Sequence, residues 1–219
     1  NMLTVFPLTI LLALLINELR VKWFKSAVTT VLYLPHFIST VVVAGIVVTF
    51  LSPSSGIVNI VIEKLGGTKA YFLAKPEYFK LIYTIMSGWH GIGFGTIIYT
   101  SALCSIDETL YEAARIDGAG KFRQIWHVAL PGIAPTISIM LIMRLGSLIS
   151  VGSEAILLLY QPITYETADV ISTYVYRLGI EGGNYSVSTA IGLLNGVIAA
   201  LLVTTANAVS KKISNSSIW

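Results

Sequence analysis

Arg144 is the side chain with the most distinctive chemistry in this sequence, because it carries a charge inside an otherwise apolar run. A charge at the middle of a membrane span costs roughly 2.5 to 3.5 kcal/mol on insertion scales, so we expect its guanidinium to face a cavity or a counter-charge. It can donate hydrogen bonds to the hydroxyl groups or the carboxylate of a ligand. It can equally form a structural ion pair or contact the carbonyl groups at a helix end, and the sequence leaves both interpretations open.

Four further side chains have the chemistry to contact a polar ligand. They are Trp89, His90, His36 and Glu154. An aromatic face can stack on a ring while an imidazole binds a hydroxyl group, but such residues near the outer third of a helix also serve as interfacial anchors and packing residues. Glu154 follows the end of a predicted span, where it can line an entrance or simply be solvated.

No group of residues in this sequence has the arrangement that catalysis needs. The single Cys104 excludes an intrachain disulfide and a cysteine-based metal site. We find no cluster of acids or of His, Asp and Glu ligands and no activated nucleophile, and no Gly-rich phosphate loop. We therefore expect a protein that is not an enzyme and that holds neither a metal nor a cofactor.

The composition indicates a membrane protein. The chain is 55% hydrophobic and 11% charged, with a mean hydropathy of +0.79, whereas soluble proteins are about a quarter charged. Apolar runs long enough to cross a bilayer, roughly 20 residues each, recur between short charged or Gly/Pro-rich segments. The net charge of +3 is too small to indicate nucleic-acid binding. We predict an all-α polytopic membrane protein.

Five apolar runs are candidates for transmembrane helices. They are Met2 to Ile16, Ser26 to about Leu51, Leu81 to about Ser105, Gly132 to about Val151, and Val187 to about Ala208. The first is short and lacks the features of a signal peptide, so we expect further sequence upstream. Pro35 is expected to kink the second span. Gly91, Gly93 and Gly95 in the third permit close backbone approach or local unwinding.

The segments between these spans are predicted to alternate between the two sides of the membrane. Segments 52–80 and 153–186 are predicted to be extracytoplasmic, and segment 105–131 cytoplasmic. The cytoplasmic side holds eight Lys and Arg residues, Arg20, Lys22, Lys25, Arg115, Lys121, Arg123, Lys211 and Lys212, against five on the other side, Lys64, Lys69, Lys75, Lys80 and Arg177. Positive residues in short loops favour the cytoplasm, and the charges agree with this orientation.

Segment 105–131 has the local signals of a helix, a turn and a second helix. Ser105-Ile106-Asp107-Glu108 matches a capping box, and Asp117-Gly118-Ala119-Gly120 predicts a turn. A second short helix, Lys121 to Ala129, is expected to stop at Leu130-Pro131 before the next span begins.

The same segment contains a long motif of small and charged residues. Glu112-Ala113-Ala114 is followed by Asp117-Gly118-Ala119, by Phe122 and Ile125, and then by Leu130-Pro131. The pattern resembles the EAA loop of permease subunits in binding-protein-dependent ABC importers, in the form typical of carbohydrate permeases. Two other stretches, Tyr33 to Ser39 and Thr164 to Tyr176, are similar to the branch that takes up oligosaccharides or polysaccharide fragments.

The resemblance implies a type I ABC importer permease fold, with residues 1–219 as a single transmembrane domain in the bacterial cytoplasmic (inner) membrane. Such permeases usually have six spans, so the first is expected to lie outside this sequence. A second homologous permease subunit would complete the pathway. Two cytoplasmic ATPase subunits would use ATP and Mg²⁺, and an extracytoplasmic solute-binding protein would deliver the carbohydrate.

The resemblance also implies roles for single residues. The residues expected to couple to an ATPase are Glu112, Ala113, Ala114, Asp117, Gly118, Ala119, Leu130 and Pro131. Glu112 would make a polar contact with the ATPase, and Gly118 would allow the turn. The residues expected along a sugar path are Arg144, Trp89, His90, His36 and Glu154.

Several functional alternatives stay open. A permease for a non-sugar solute would share the same loop. An ion-coupled secondary transporter predicts paired acids inside helices or inverted repeats, which the nearly charge-free spans disfavour. The outer tyrosines, Tyr160, Tyr165, Tyr174, Tyr176 and Tyr185, can form a docking face for the binding protein or an interfacial belt.

Overall fold

The computed structural model describes residues 2–148 and 152–214, and all regular structure in those residues is helical. The α-helices are α1 (Val5–Asn17), α2 (Lys22–Tyr33), α3 (Thr40–Phe50), α4 (Ile57–Lys64), α5 (Pro76–Cys104), α6 (Glu108–Ile116), α7 (Lys121–Gln124), α8 (Leu130–Gly146), α9 (Ser153–Leu159), α10 (Tyr165–Ala168), α11 (Ile171–Tyr176) and α12 (Tyr185–Ser214). Short 3₁₀ turns lie at Leu34–Phe37, Phe72–Ala74 and Pro162–Thr164, and π-helical turns at Ile125–Ala129 and Arg177–Glu181.

Three helical runs in the described residues are long and apolar enough to cross a membrane. They are Pro76–Cys104, Lys121–Gly146 and Tyr185–Lys212, of 29, 26 and 28 residues, against the roughly 20 that a bilayer requires. The bent pair Lys22–Phe37 and Thr40–Phe50 gives a fourth crossing if it counts as one span. Of the five predicted spans, the described residues therefore give three, or four with the bent pair. α1 has only 13 residues, which agrees with the short first run but is below the length that a single crossing requires. The prediction of an all-α polytopic membrane protein is confirmed.

The second predicted span is broken rather than kinked. α2 and α3 differ in direction by 98°, and the chain between them passes through a 3₁₀ turn and an extended Ser39. The Ser39 hydroxyl accepts a hydrogen bond from the Val42 N–H at 3.4 Å, so that Ser39 caps the start of α3. Pro35 disrupts the first helix, and this cap begins a new one. A single kinked helix from Ser26 to Leu51 was therefore the wrong prediction.

The expected stop at Leu130-Pro131 is also wrong, because helical structure continues from Lys121 to Gly146. Pro131 has no N–H, and its ring conflicts with the carbonyl four residues earlier in a regular helix. The π turn Ile125–Ala129 precedes it, with the Leu130 N–H donating to the Ile125 carbonyl. This wider turn changes the backbone hydrogen bonding just before Pro131, and the helix continues beyond the proline.

The backbone contacts divide the chain into two compact units. One comprises His36–His90 and Ile149–Val197, and the other comprises Met2–Pro35, Gly91–Leu148 and Ile198–Trp219. The prediction of one domain over residues 1–219 stays a prediction.

The first unit is organised by an apolar cluster and a buried amide. Its cluster includes Val43, Leu73, Phe79 and Ile156, all nearly inaccessible to solvent. Asn59 on α4 is fully buried. Its Nδ2 lies 3.0 Å from the carbonyl oxygens of both Ser52 and Ala70, and its Oδ1 accepts from the Ala70 N–H at 2.8 Å. The amide thereby joins both ends of the loop around α4, the region predicted to be an outer segment.

The second unit packs α1 against the C-terminal end of α5 and the segment that follows it. Its buried cluster consists of Ala13, Leu14, Tyr99, Leu103, Ala129 and Ile133. Close approach occurs at Gly93 of α5, where an added Cβ would collide with the Leu32 backbone of α2. α5 remains helical there, so the glycine permits close approach and not unwinding.

Candidate functional site

The loop between α5 and the run Lys121–Gly146 begins with a capped helix. Asp107, not Ser105, is the N-cap of α6, and its carboxylate accepts from the Thr109 N–H at 3.0 Å. That hydrogen bond stabilises the ionised form, so it holds the pKa of Asp107 below its ordinary value. The Ser105 hydroxyl instead donates back to the Ala102 carbonyl at 2.8 Å. The predicted capping box is corrected by two residues, while the predicted helix is present.

Gly118 makes the turn after α6. Its φ is +74°, a conformation that costs an L-residue roughly 1 to 2 kcal/mol. The Ala119 N–H donates to the Ala114 carbonyl at 2.8 Å, which satisfies one of the last carbonyls of the helix. A Cβ at Gly118 would meet no atom within 4 Å. Glycine is needed here for its backbone conformation and not for lack of space.

The residues after the turn are tied back to it. Gln124 is buried, and its Nε2 donates to the Ala119 carbonyl at 2.7 Å. A cavity of about 270 Å³ lies alongside, lined by Ala114, Asp117, Ala119, Arg123, His127 and Val128. The turn and the start of the next helix therefore form one structured surface.

This surface is strongly apolar although it lies outside the apolar cores. Ile116 is 86% exposed, Phe122 79% and Trp126 61%. Five of the predicted coupling residues are exposed, namely Glu112, Ala113, Asp117, Gly118 and Pro131. The other three are partly buried, namely Ala114, Ala119 and Leu130. Exposed aromatic side chains next to small residues have the character of a protein-binding surface.

His90 and Glu154 are brought together in the first unit. Both line a cavity of about 320 Å³, together with Thr40, Tyr83, Met86, Ser87, Gly152, Ser153 and Ala155. His36 lies beside His90, with 6.0 Å between ring centroids, but it does not line this cavity. Trp89 faces a separate apolar pocket that includes Ile46, Phe50 and Ile85. Thus the structure joins two of the four further candidates and separates Trp89 from them.

Arg144 lies in the last turn of α8 and not at mid-span. The predicted span reached Val151, but α8 ends at Gly146, and residues 149–151 lie outside those the structure describes. A cation in the last turn of a helix is favoured by the helix dipole. Its side chain is exposed, and within the described residues no carboxylate lies at ion-pair distance from it.

Two of the outer tyrosines pack against Arg177. The guanidinium lies 4.3 Å from the ring centroid of Tyr165 and 5.8 Å from that of Tyr174. The Tyr165 ring in turn lies 4.7 Å from the ring centroid of Tyr160. Arg177 also pairs with Asp169. Burial raises the pKa of Asp169, but hydrogen bonds from Arg177 and Thr173 outweigh it, and the net pKa is lowered. Tyr174, Tyr176 and Tyr185 are exposed at 46%, 42% and 63%.

A comparison with known protein families identifies the family of this chain. Residues 6–215 match the family described as the binding-protein-dependent transport system inner membrane component. The chain belongs to this family. It is a multi-pass permease of the bacterial inner membrane, and its family role is transport and not catalysis.

Two relatives and one solved structure resemble the permease over nearly all of its length. The polygalacturonan/rhamnogalacturonan transport system permease protein YteP of Bacillus subtilis (strain 168) is 40% identical, over 100% of this chain and 68% of YteP. Protein LplB of the same organism is 38% identical, over 100% of this chain and 69% of LplB. A chain in the crystal structure of a bacterial alginate ABC transporter, in complex with an alginate pentasaccharide-bound periplasmic protein, is 51% identical with a TM-score of 0.95, over 97% of this chain and 74% of that chain.

Sequence reasoning missed two residues of the permease's loop, the exposed Trp126 and the buried Gln124. Trp126 follows Phe122 by four positions, and this helical spacing of two aromatic residues in a charged segment was an available signal. Gln124 had no comparable signal, because its role depends on the position of the Ala119 carbonyl.

Proposed function

We propose that the permease is one half of the pathway of an ATP-driven importer that takes up fragments of an acidic polysaccharide. The observation that carries this proposal is the 51% identity to a chain of the alginate transporter, over 97% of the permease. Alginate is an acidic polysaccharide. The 40% identical relative is named for polygalacturonan and rhamnogalacturonan, which also contain uronic acids.

The chemistry of Arg144 supports an acidic substrate. Its guanidinium is exposed near the end of an apolar helix and pairs with no carboxylate of the described residues. A guanidinium presents a planar set of donors that matches a carboxylate. A uronate carboxylate passing along the permease would supply the missing counter-charge.

The loop surface supports docking of a cytoplasmic ATPase. The Gly118 turn lies beside the exposed side chains of Ile116, Phe122 and Trp126, and together they form the loop surface. Docked in a groove of the ATPase, this surface would transmit the closure of two ATPase subunits to the spans as a rigid body. ATP and Mg²⁺ would be bound by the ATPase, and the permease would carry out no chemical step.

The complete importer would contain three kinds of partner. A second homologous permease subunit would supply the other half of the pathway, and a cytoplasmic ATPase would bind beneath each permease. An extracytoplasmic solute-binding protein would deliver the oligosaccharide. The periplasmic protein in the alginate transporter complex supports this last partner.

Reconstitution of the purified complex in proteoliposomes tests the proposal. Uptake of a labelled oligogalacturonide or alginate oligosaccharide is expected to require enclosed ATP and the loaded binding protein, and to be insensitive to ionophores. Uptake that persists without ATP and stops when ion gradients are dissipated would instead identify an ion-coupled transporter.

A further inference from the structure

We infer that the cavity lined by His90 and Glu154 is a saccharide subsite that holds a sugar ring through its hydroxyl groups and not through a carboxylate. The inference rests on the proposed function, since it assigns a specific contact to the transported saccharide. The cavity of about 320 Å³ falls within the range of small-ligand pockets, which begins at roughly 300 Å³.

His90 presents a hydrogen-bond acceptor because of the broken helix beside it. Its Nε2 lies 2.8 Å from the Ile38 carbonyl oxygen. α3 begins with Ser39 as its N-cap, so the Ile38 carbonyl precedes the helix and is available to His90. A carbonyl only accepts, so Nε2 donates this hydrogen bond, and the tautomer that carries its proton on Nε2 presents Nδ1 as an acceptor.

Glu154 adds a second acceptor to the same cavity. It lies in the first turn of α9, which begins at Ser153. The residue before this helix is Gly152, whose φ is +74°. A Cβ at Gly152 would collide with the Tyr83 ring, so the glycine allows this segment to approach α5. The ionised carboxylate only accepts hydrogen bonds, and within the described residues no Lys or Arg pairs with it.

These acceptors determine the ligand chemistry. A sugar hydroxyl can donate to His90 Nδ1 and to the Glu154 carboxylate, and the hydroxyls of Thr40 and Ser153 can add to either role. A second carboxylate beside Glu154 would be repelled. A uronate ring held here must therefore direct its carboxylate away from Glu154. The hydroxyl-bearing face of a sugar ring, which can donate to both acceptors, therefore matches this cavity.

Thiol protection in the assembled importer tests whether sugar occupies the cavity. Cys104 is exposed and is the single cysteine of this sequence, so Cys104→Ala removes that thiol, and labelling is read on the permease subunit alone. Ser153→Cys, and independently Thr40→Cys, place a thiol on the cavity wall, while Ser54→Cys in the exposed outer segment is the control. Maleimide labelling is measured with the binding protein loaded with an oligogalacturonide or with its carboxyl-reduced form. Either sugar is expected to slow labelling at the two cavity positions and leave the control unchanged.

Glu154→Gln tests the acceptor role, because it keeps the shape and removes the charge. A neutral acceptor in place of a charged one weakens the hydrogen bond from the sugar and is expected to raise the KM for uptake by up to about tenfold. Glu166→Gln, which does not line the cavity, is the matched control. The subsite is overturned if neither sugar slows labelling and the KM of Glu154→Gln is unchanged. In that case, ATP-driven uptake by the wild type still upholds the proposed function. Protection by the reduced sugar alone, with no uptake of uronates, supports the subsite and overturns the acidic substrate.

Discussion

Glu18 and Lys121 form an ion pair, with 2.6 Å between the Glu18 Oε2 and the Lys121 Nζ. Glu18 is the C-cap of α1, and Lys121 is the first residue of the helical run after the Gly118 turn. The pair therefore joins the end of the first helix to the base of the loop surface. The buried cluster around Leu14, Tyr99 and Ala129 supports the same contact from within.

The ion pair is expected to contribute little stability in the separate subunit. The Lys121 side chain is 62% exposed and that of Glu18 30%, and exposed pairs contribute about 0 to 1 kcal/mol. A double-mutant cycle of Glu18→Gln and Lys121→Gln, read by thermal unfolding at low and high salt, should give a coupling energy in that range that falls with salt. A larger coupling that does not fall with salt would contradict the expectation of a weak, solvent-screened pair.

Gly118 is expected to tolerate only residues that adopt its backbone conformation. Gly118→Ala should destabilise the turn by roughly 1 to 2 kcal/mol and lower both ATPase co-purification and uptake, while Gly118→Asn should be milder. Gly120→Ala is the matched control, because Gly120 has a φ of −68° and open space around it. Equal effects of the two alanine variants would contradict the conformational argument.

Trp126 and Phe122 are expected to act in docking and not in folding. Both are more than half exposed in the separate subunit, so Trp126→Ala or Phe122→Ala should leave its thermal unfolding nearly unchanged. If either is a central contact, its removal should weaken the binding of the permease to the ATPase by roughly 2 kcal/mol, about 30-fold. The affinity is measured by titrating detergent-solubilised subunits. Leu65→Ala is the control, since Leu65 is 82% exposed in the region predicted to face the other side. An undiminished affinity in both loop variants would remove this surface from the docking interface.

The pair of Asp169 and Arg177 is expected to make stability fall in acid. The pKa of Asp169 is lowered from 3.8 in the folded protein, so its contribution is fully present above the unfolded value and is lost as the pH drops through the folded one. Thermal unfolding of the wild type should therefore show an additional loss below about pH 4 that is absent in Asp169→Asn. Parallel pH profiles for the two proteins would refute this role.

Local sequence signals predicted the helical spans and the Gly118 turn, because apolar run length and a glycine after a helix act within a few residues. They were less successful where two local effects compete. Pro35 indicated a bend, but the 98° break also requires Ser39 to cap a new helix. Pro131 indicated a stop, and the π turn before it allows the helix to continue.

The other candidate sites depend on tertiary contacts between residues that are far apart in the sequence. Thr40, His90 and Glu154 meet in one cavity, although more than 100 positions of sequence separate the first from the last. Glu18 and Lys121 are similarly remote along the chain. Residue types identified His90 and Glu154 as polar candidates, and only the fold shows that they share a wall.

The central claim is that this permease imports acidic oligosaccharides. Its most direct test compares the rates of ATP-driven uptake of an oligouronide and of the same oligosaccharide with its carboxyl groups reduced, as a ratio of the first rate to the second. Both are measured in proteoliposomes that contain the complete importer. We predict a ratio well above one, falling toward one in Arg144→Gln and retained in part in Arg144→Lys. Equal or faster uptake of the reduced sugar by the wild-type importer would contradict the claim.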